Sequence, residues 1–398
     1  MPQASKRSRS LDKRLDIRDV ALKAGVSIAT VSRTINGLPS VDKELATRVW
    51  AAVKDLSYYP NTQARSLVSG RSKIFGLLVS EITNPFFPEL IQGFEEIAVR
   101  HGYDIMIAST NYDPVRMETC VRRLLERSVE GVAVMTFGIE APMVEELASR
   151  NIPLVFIDAG PDRPCVSALT IDYHHGIREG VQHLAALGHR RIAFVSGPLR
   201  QRSCQLRQDA FLLSLDEVGI TPQQSFVIES DHTLIGGMRA AEDLLQLPEV
   251  PTAVMCSNDM TAIGVLRSLS NAGVRVPEDM SVIGFDDIQL AEFVSPPLTT
   301  VNMSRIDIAR AAFEALRGHV EETKSAGGVT AQISTTLIVR RSTSYPRGTP
   351  APLTKPAGKR VLAHGLKNEP VSETRTEKKS PREPRASRRK ALVDLSPL

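Results

Sequence analysis

Residues 16–36 read DIRDVALKAGVSIATVSRTIN, and this stretch predicts two short helices joined by a tight turn. Asp16 is placed to cap the first helix, with Asp19 three residues later as in a capping box. Gly25 permits the turn, and Ser27 can cap the second helix. The spacing therefore predicts a helix-turn-helix unit.

A third helix is predicted to complete this N-terminal unit. Asp42 precedes it, and apolar residues recur at helical spacing from Leu45 to Leu56. These residues can pack against the apolar residues of the first two helices, so we predict an all-α head over residues 15–60.

The second helix of the head exposes hydroxyl groups and Arg33 on the face opposite Val31. Hydroxyl groups can donate hydrogen bonds to phosphates, and an arginine can bind guanine through two hydrogen bonds. An ordinary capped surface helix has the same pattern, so this face alone does not decide between the two interpretations.

Charge is divided unevenly along the 398 residues, although the net charge is only +4. Residues 1–70 hold 12 Lys and Arg against 6 Asp and Glu, residues 346–398 hold 13 against 5, and the segment between them is acidic. A basic head suits a phosphate backbone because cationic side chains release condensed counterions. A solvated charged surface accounts for the same counts equally well.

Several classes of protein are excluded by composition and motifs. No run of about 18 apolar residues occurs, and the basic N-terminus lacks the apolar stretch of a secretory signal, so we expect a cytoplasmic protein with no membrane partner. The cysteines are scattered and have no metal-ligand spacing, which predicts neither a metal site nor a disulfide framework. No nucleophile elbow, Walker loop or dinucleotide fingerprint is present, so we predict no catalytic residue and no cofactor.

From residue 73 the chain alternates short apolar runs with longer helical patterns, which is typical of parallel α/β proteins. A series this long favours two doubly wound sheets over one wide sheet. The predicted strands are Ile74–Ser80, Tyr103–Ser109, Gly131–Met135, Leu154–Asp158, Arg191–Ser196, Phe226–Glu229, Ala253–Ser257 and Ser281–Phe285. The predicted helices include Phe87–His101, Pro114–Ser128, Tyr173–Leu187, Ile235–Leu247 and Asp259–Ala272.

Ligands of such sheets bind at the carboxyl ends of the strands, so polar residues there are candidates for a site. The candidates are Ser80, Asp158, Gln201, Ser203, Arg207, His232, Asn258, Asp259, Asp286 and Asp287. Each residue alone can be a helix N-cap or a turn residue, and we favour that role for Asp259 and Asp287.

The head resembles the LacI/GalR family of bacterial repressors. The matching motifs are Ala29-Thr30-Val31-Ser32-Arg33-x-Ile35-Asn36 and Tyr58-x-Pro60-Asn61-x-x-Ala64-Arg65-x-Leu67. The resemblance implies that double-stranded operator DNA is bound through Ser27, Ile28, Ala29, Thr30, Ser32, Arg33, Asn36, Tyr58, Asn61, Ala64 and Leu67. Of these, Ile28, Ala29 and Arg33 hold base-reading positions. Leu67 belongs to a hinge helix that folds on DNA and opens a base step from the minor groove. Ser57 departs from the family, which usually has Gly or Asn there.

The body resembles the same family from about Ile74 to Arg341, which implies a periplasmic-binding-protein-like fold of two lobes around one small-molecule effector. The matching motifs include Ser80-x-x-x-Asn84-Pro85-Phe86-Phe87, Asn258-Asp259-x-x-Ala262-x-Gly264 and Gly284-Phe285-Asp286-Asp287. By that resemblance Arg207 and Asp286 form the polar ends of the cleft, and Phe86, Phe87 and His232 stack or close over the ligand. Further lining candidates are Ser80, Asp158, Gln201, Ser203 and Asn258.

An arginine with carboxylate and amide neighbours suits a sugar or a sugar acid. Arg200 and Arg202 leave an anionic effector open, although both can equally be surface charges.

The resemblance implies a homodimeric repressor whose operator binding responds to the effector. A solute-binding protein lacks support because no signal peptide is present, and an enzyme lacks support because no catalytic motif is present. The basic tail either adds weak DNA attraction or keeps the chain soluble, and its lack of a leucine heptad favours a dimer. The predicted domains are a disordered arm (1–14), the DNA-binding head (15–60), a hinge (61–72), the body (73–345; lobes 73–172 with 302–326 and 173–301 with 327–345) and a disordered basic tail (346–398).

Overall fold

The computed structural model describes residues 15–60, 70–136, 145–147, 149–158, 165–222, 226–321, 328 and 330–347. The predicted N-terminal arm, the hinge residues 61–69 and the tail from residue 348 onward lie outside the described residues. Asn61, Ala64 and Leu67 are therefore not placed by the structure.

The head contains the three predicted helices: α1 (Ile17–Ala24), α2 (Ile28–Ile35) and α3 (Lys43–Asp55). Asp16 and Asp19 form a capping box, because each carboxylate accepts a hydrogen bond from the other residue's backbone amide. Gly25 ends α1 with a φ of 65°, a left-handed conformation that glycine adopts at little cost. Ser27 caps α2 by accepting the Thr30 amide at 3.1 Å.

The head has its own small core. Val20, Val31 and Val49, one from each helix, are fully buried and pack together with Ala21 and other small apolar residues. Ala21 allows a close approach between helices, as a turn this short requires. These contacts hold the outer face of α2 in a fixed orientation.

The body contains two six-stranded sheets within the described residues. The first is formed by β1 (Ile74–Val79), β2 (Asp104–Ser109), β3 (Gly131–Met135), β4 (Leu154–Ile157), β5 (Val166–Ile171) and β11 (Thr330–Ile333), in the order β11-β5-β4-β3-β1-β2. The second is formed by β6 (Ile192–Ser196), β7 (Val227–Glu229), β8 (Ala253–Cys256), β9 (Ser281–Asp286), β10 (Thr299–Met303) and β12 (Thr335–Ile338), in the order β12-β10-β9-β8-β6-β7. All neighbouring strands are parallel except β10 and β12.

Helices connect these strands and cover the sheets, so several strands are buried along their whole length, as in other parallel sheets. The helices are α4 (Phe86–Arg100), α5 (Pro114–Glu126), α6 (Tyr173–Ala186), α7 (Arg202–Glu217), α8 (Leu234–Leu245), α9 (Asp259–Asn271), α10 (Leu290–Phe293) and α11 (Arg305–Glu321). No helix in the described part of the chain has the length and apolar composition needed to span a membrane.

The chain passes between the two sheets at Asp172, Ser304 and Ser334, and these crossings define the lobes. The predicted start of the last segment of the second lobe, at residue 327, is wrong. Thr330–Ile333 pairs with β5 and so belongs to the first lobe. This pairing gives the edge of β5 a partner strand, which an unprotected sheet edge needs.

Candidate nucleic-acid interface and effector cleft

One face of α2 is exposed and makes few contacts within the head. Ile28 is 46% exposed, and Ala29, Arg33 and Asn36 are also exposed. The Arg33 side chain makes no ion pair or hydrogen bond with any other described residue, so its guanidinium is available to an outside partner. An unpaired cation on a capped helix can contact base edges in a DNA groove.

The hydroxyl groups of α2 lie beside this face. Ser27 Oγ lies 2.9 Å from Thr30 Oγ1, and Asn36 Nδ2 donates to Ser32 Oγ at 3.5 Å. Tyr58 is half-buried against the core of the head, and burial, together with the negative charge of Asp16, raises its pKa. The structure therefore brings the described DNA-binding candidates to α2 and to the end of α3.

The body has a narrow cleft between the carboxyl ends of the two sheets. The volume of this cavity is only about 40 Å³. Its lining residues are Asn84, Phe86, Phe87, Tyr112, Met135, Ile157, Tyr173, Ser203, Arg207, His232, Asn258, Asp286 and Met303. Seven of the ten predicted effector residues are in this set.

Arg207 is the cation of this cleft and is 5% exposed. Its Nη1 donates to the Ser257 carbonyl, and its guanidinium carbon lies 4.9 Å from the Tyr173 ring centre and 4.3 Å from that of Phe285. Aromatic faces stabilise a cation placed in this way. Its Nε is buried without a hydrogen-bond partner among the described residues, so one donor remains for a ligand.

Asp286 is the matching acceptor, and its Oδ1 lies 3.9 Å from Arg207 Nη2. Burial raises the pKa of Asp286 to about 7, although the positive charges of Arg207 and Arg305 oppose that rise. Its carboxylate accepts no hydrogen bond from another described residue. The pair is therefore close enough to attract but too far apart to use up its hydrogen-bonding capacity.

His232 lies beside Arg207 and is neutral at physiological pH. Burial and the nearby Arg207 charge lower its pKa to about 3. Its Nε2 lies 2.9 Å from Ser257 Oγ, and its carbonyl accepts Asn258 Nδ2. Gly197 leaves room for the ring, because a Cβ at that position would collide with it.

Tyr173 and Asp158 form a hydrogen-bonded pair beside Arg207. The Tyr173 hydroxyl donates to Asp158 Oδ2 at 2.7 Å, and burial raises the pKa of both groups. Asp158 thus supports Tyr173 and is not itself on the lining.

Two further candidates do not line the cleft. Ser80 is fully buried, and its hydroxyl donates to Thr136 Oγ1 at 2.9 Å. Gln201 occupies the N-cap position of α7, and its side-chain oxygen accepts from Cys204 Sγ. Both positions follow a strand, but their polar groups are turned to internal partners.

The sequence prediction missed Asn84, Tyr112, Met135, Ile157, Tyr173 and Met303. Met135 and Ile157 are the last residues of β3 and β4, which were predicted, so the strand-end rule would have found them if apolar residues had been considered. Met303 is the last residue of β10, which was not predicted as a strand. Tyr173 follows β5, which was not predicted as a strand.

Asp259 and Asp287 were predicted to be helix N-cap or turn residues, and neither is a helix N-cap. Asn258 is the N-cap of α9, and it accepts the Thr261 amide. Asp259 is fully buried and accepts from the Thr300 hydroxyl and from the Ile288 amide. Asp287 pairs with Arg340 at 2.7 Å. Both aspartates therefore fix the loop that carries Asp286.

The described residues contain no cluster of three or more His, Cys, Asp or Glu that could hold a metal ion. What the cleft offers instead is a donor, an acceptor, a neutral imidazole and aromatic walls. Such a set can hold a small polar molecule by directional hydrogen bonds.

Known proteins share both parts of this architecture. The family model described as bacterial regulatory proteins, lacI family, matches residues 16–61, and the periplasmic binding protein-like domain matches residues 181–343. The HTH-type transcriptional repressor PurR of Photobacterium profundum is 35% identical over 327 residues, which cover 82% of this chain and 98% of PurR.

Solved structures agree with this assignment. The lac repressor dimer bound to operator and the anti-inducer ONPF has a TM-score of 0.73 and 28% identity, and the match covers 83% of this chain and 100% of that one. The complex of the transcriptional regulator CelR with cellobiose has a TM-score of 0.63 and 29% identity, with the same coverage of 83% and 100%. The chain therefore belongs to the LacI family of bacterial regulatory proteins, and it is a DNA-binding transcriptional repressor rather than an enzyme.

Proposed function

We propose that this repressor binds a palindromic operator as a homodimer and that a neutral sugar in the cleft changes its operator affinity. The observation that carries the effector assignment is the buried pair of Arg207 and Asp286, which lie 3.9 Å apart. One group donates and the other accepts, so together they suit adjacent hydroxyl groups.

The rest of the lining favours a neutral ligand. Arg200 and Arg202, which left an anionic effector open, are exposed and do not line the cleft. Arg207 is the only arginine or lysine among the described residues of the lining, and it already faces Asp286. A second negative charge would compete with that carboxylate in a buried site, where charge repulsion is costly.

Phe86 and Phe87 supply an apolar surface for the face of a sugar ring. Both are almost fully buried, and their rings meet edge to face with centres 5.4 Å apart. The similar regulator CelR is described with cellobiose, which supports the sugar class.

The homodimer is supported by an uncovered sheet edge. β2 is the last strand of the first sheet, Ile107 on it is 45% exposed, and Val115 on the adjoining α5 is 74% exposed. A second copy that covers this edge would protect it from non-specific pairing. The similar lac repressor is described as a dimer on its operator.

The test begins with in vitro selection of duplex DNA by the full chain, and two heads should select a palindrome. Operator affinity is then measured by fluorescence anisotropy with ribose, glucose, cellobiose and gluconate. At least one neutral sugar should change the operator Kd by about 5- to 150-fold. Arg207→Gln should bind operator normally without sugar and lose the response.

Arg202→Gln is the matched control because it removes an exposed arginine from the same helix, and it should respond like the wild type. A full response in Arg207→Gln would contradict the placement of the effector. A response to gluconate alone would contradict the neutral class.

A further inference from the structure

An ion pair outside the effector cleft joins the two lobes near one of their crossings. Glu89 lies in the first turn of α4, three residues after Phe86, and Arg305 begins α11 directly after the crossing at Ser304. Glu89 Oε2 and Arg305 Nε are 2.8 Å apart, and the side chains are 28% and 15% exposed. Both residues belong to the first lobe.

The second lobe contributes backbone groups that hydrogen-bond to this pair. Arg305 donates through Nη1 to the Asp286 carbonyl and through Nη2 to the Asp287 carbonyl at 2.8 Å. The other oxygen of Glu89, Oε1, accepts the Gln289 amide at 3.1 Å. The ion pair therefore makes three hydrogen bonds to one loop of the second lobe.

That loop is the one that places Asp286 in the effector cleft, while α4 places Phe86 and Phe87 there. The carboxylate of Glu89 thus connects α4 with the loop after β9, and these two elements face each other across the cleft. Separation of the lobes would remove the Gln289 amide from Glu89 and the two carbonyls from Arg305. Each group would lose its partner in a partly buried site.

We propose that Glu89 is a latch residue, which holds the lobes closed by orienting Arg305 and by binding the Gln289 amide. Its role is positioning, because the effector is contacted by other residues. The inference rests on the proposed function, since a latch matters to a repressor whose lobe closure is regulated. Its test needs neither effector nor DNA, so the two can fail separately.

Cys204 provides a native reporter of lobe closure. It is fully buried next to Ser203 of the lining, and its Sγ lies 3.7 Å from His232 Nε2. Opening of the cleft should expose this thiol. Cys256, in the core of the second lobe, is equally buried and becomes accessible only when that lobe unfolds.

The experiment measures the rate at which N-ethylmaleimide modifies each cysteine in the ligand-free full chain, by mass spectrometry of peptides. Glu89→Ala should raise the Cys204 rate at least about fivefold and leave the Cys256 rate unchanged. Glu89→Gln keeps an oxygen for the Gln289 amide and should give an intermediate rate. Arg305→Lys cannot bind both carbonyls and should also accelerate Cys204.

Glu95→Ala is the control, because Glu95 is exposed on the same helix and makes no ion pair with a described residue. It should leave both rates unchanged. The proposal is overturned if Glu89→Ala leaves the Cys204 rate at the wild-type value. It is also overturned if both cysteines accelerate together, since that would show general loss of stability.

Discussion

At the level of single residues, four aspartate or histidine residues in or beside the effector cleft have a left-handed backbone conformation. Asp158, His232, Asp286 and Asp287 have φ angles of 70°, 65°, 111° and 55°; Asp286 is the last residue of β9, and the other three follow strands. Such conformations cost of order 1–3 kcal/mol each in non-glycine residues, so their surroundings must hold them in place. Here the hydrogen bonds of Arg305 to the Asp286 and Asp287 carbonyls, and of Asn258 to the His232 carbonyl, do so for three of the four residues.

Ser57, outside the cleft, has the same kind of backbone without a functional reason. It follows α3 with a φ of 47°, and the next amide, that of Tyr58, donates to the Val53 carbonyl. A helix end of this geometry favours glycine. Ser57→Gly should raise the free energy of unfolding of the head by about 0.5–1 kcal/mol, because relief of strain exceeds the added entropy of the unfolded chain.

Urea denaturation of the full chain measures this change. Trp50 is the only tryptophan and lies on α3, so its fluorescence reports on the head alone. Ser40→Gly, at an exposed turn residue whose φ is not left-handed, should instead lower the free energy by about 0.5 kcal/mol. Equal effects of the two substitutions would contradict the strain at Ser57.

At the level of elements, α2 has a buried side and an exposed side. Val31 and Thr34 are buried, and the Thr34 hydroxyl donates to the Thr30 carbonyl. The Arg33 side chain is left without a partner among the described residues. Arg33→Ala should therefore weaken binding to the selected operator by about 1–3 kcal/mol, and it should change affinity for random duplex DNA much less.

Anisotropy titrations with both DNAs at one salt concentration provide the measurement. Arg150→Ala removes an exposed arginine of the body and should leave the ratio of the two affinities unchanged. If Arg33→Ala weakens both affinities equally, Arg33 contacts phosphate and does not read bases.

The elements also show how far the sequence predicts this structure. The head helices and their caps were predicted because Asp16, Gly25 and Ser27 are local signals. Eight body strands were predicted from apolar runs, and the structure contains all eight with ends shifted by at most a residue or two.

Four strands were missed for a physical reason. β11 and β12 are rich in threonine and separated only by Ser334, so neither an apolar run nor a turn marks them. They form strands because β11 pairs with β5 in the first lobe and β12 pairs with β10 in the second. β5 and β10 were likewise not recognised. Long-range pairing, not local pattern, decides these elements, and the lobe boundary at residue 327 was wrong for that reason.

The cleft was predicted only in part for a related reason. Polar residues after strands identified Arg207, His232 and Asp286, but the same rule could not tell that Ser80 binds Thr136 internally. The apolar wall, including Met135 and Met303, came from strand ends that carry no polar signal. Which side chains face a cleft depends on the packing of both lobes.

At the level of the whole molecule, the lobes meet around one carboxylate. Asp286 faces Arg207 of α7, Arg305 of α11 and Glu89 of α4, so its ionisation depends on how the lobes are arranged. Burial raises its pKa to about 7, against an ordinary value of 3.8. The Asp286 carboxyl is therefore protonated in the folded protein over a pH range in which it is ionised in the unfolded chain.

This difference predicts a pH-dependent stability. Because the folded pKa is the higher one, Asp286 makes unfolding easier as pH rises from about 4 to 7, and the effect levels off above that range. Asp286→Asn cannot ionise, so its free energy of unfolding relative to the wild type should increase by about 2–3 kcal/mol from pH 5 to pH 7.5.

Urea denaturation followed by circular dichroism measures both proteins. Asp279→Asn is the control, because Arg275 lowers the pKa of Asp279 and that carboxylate is ionised throughout this range. If the difference in free energy of unfolding between Asp286→Asn and the wild type is as independent of pH as that of the control, Asp286 is ionised in the folded protein over this range.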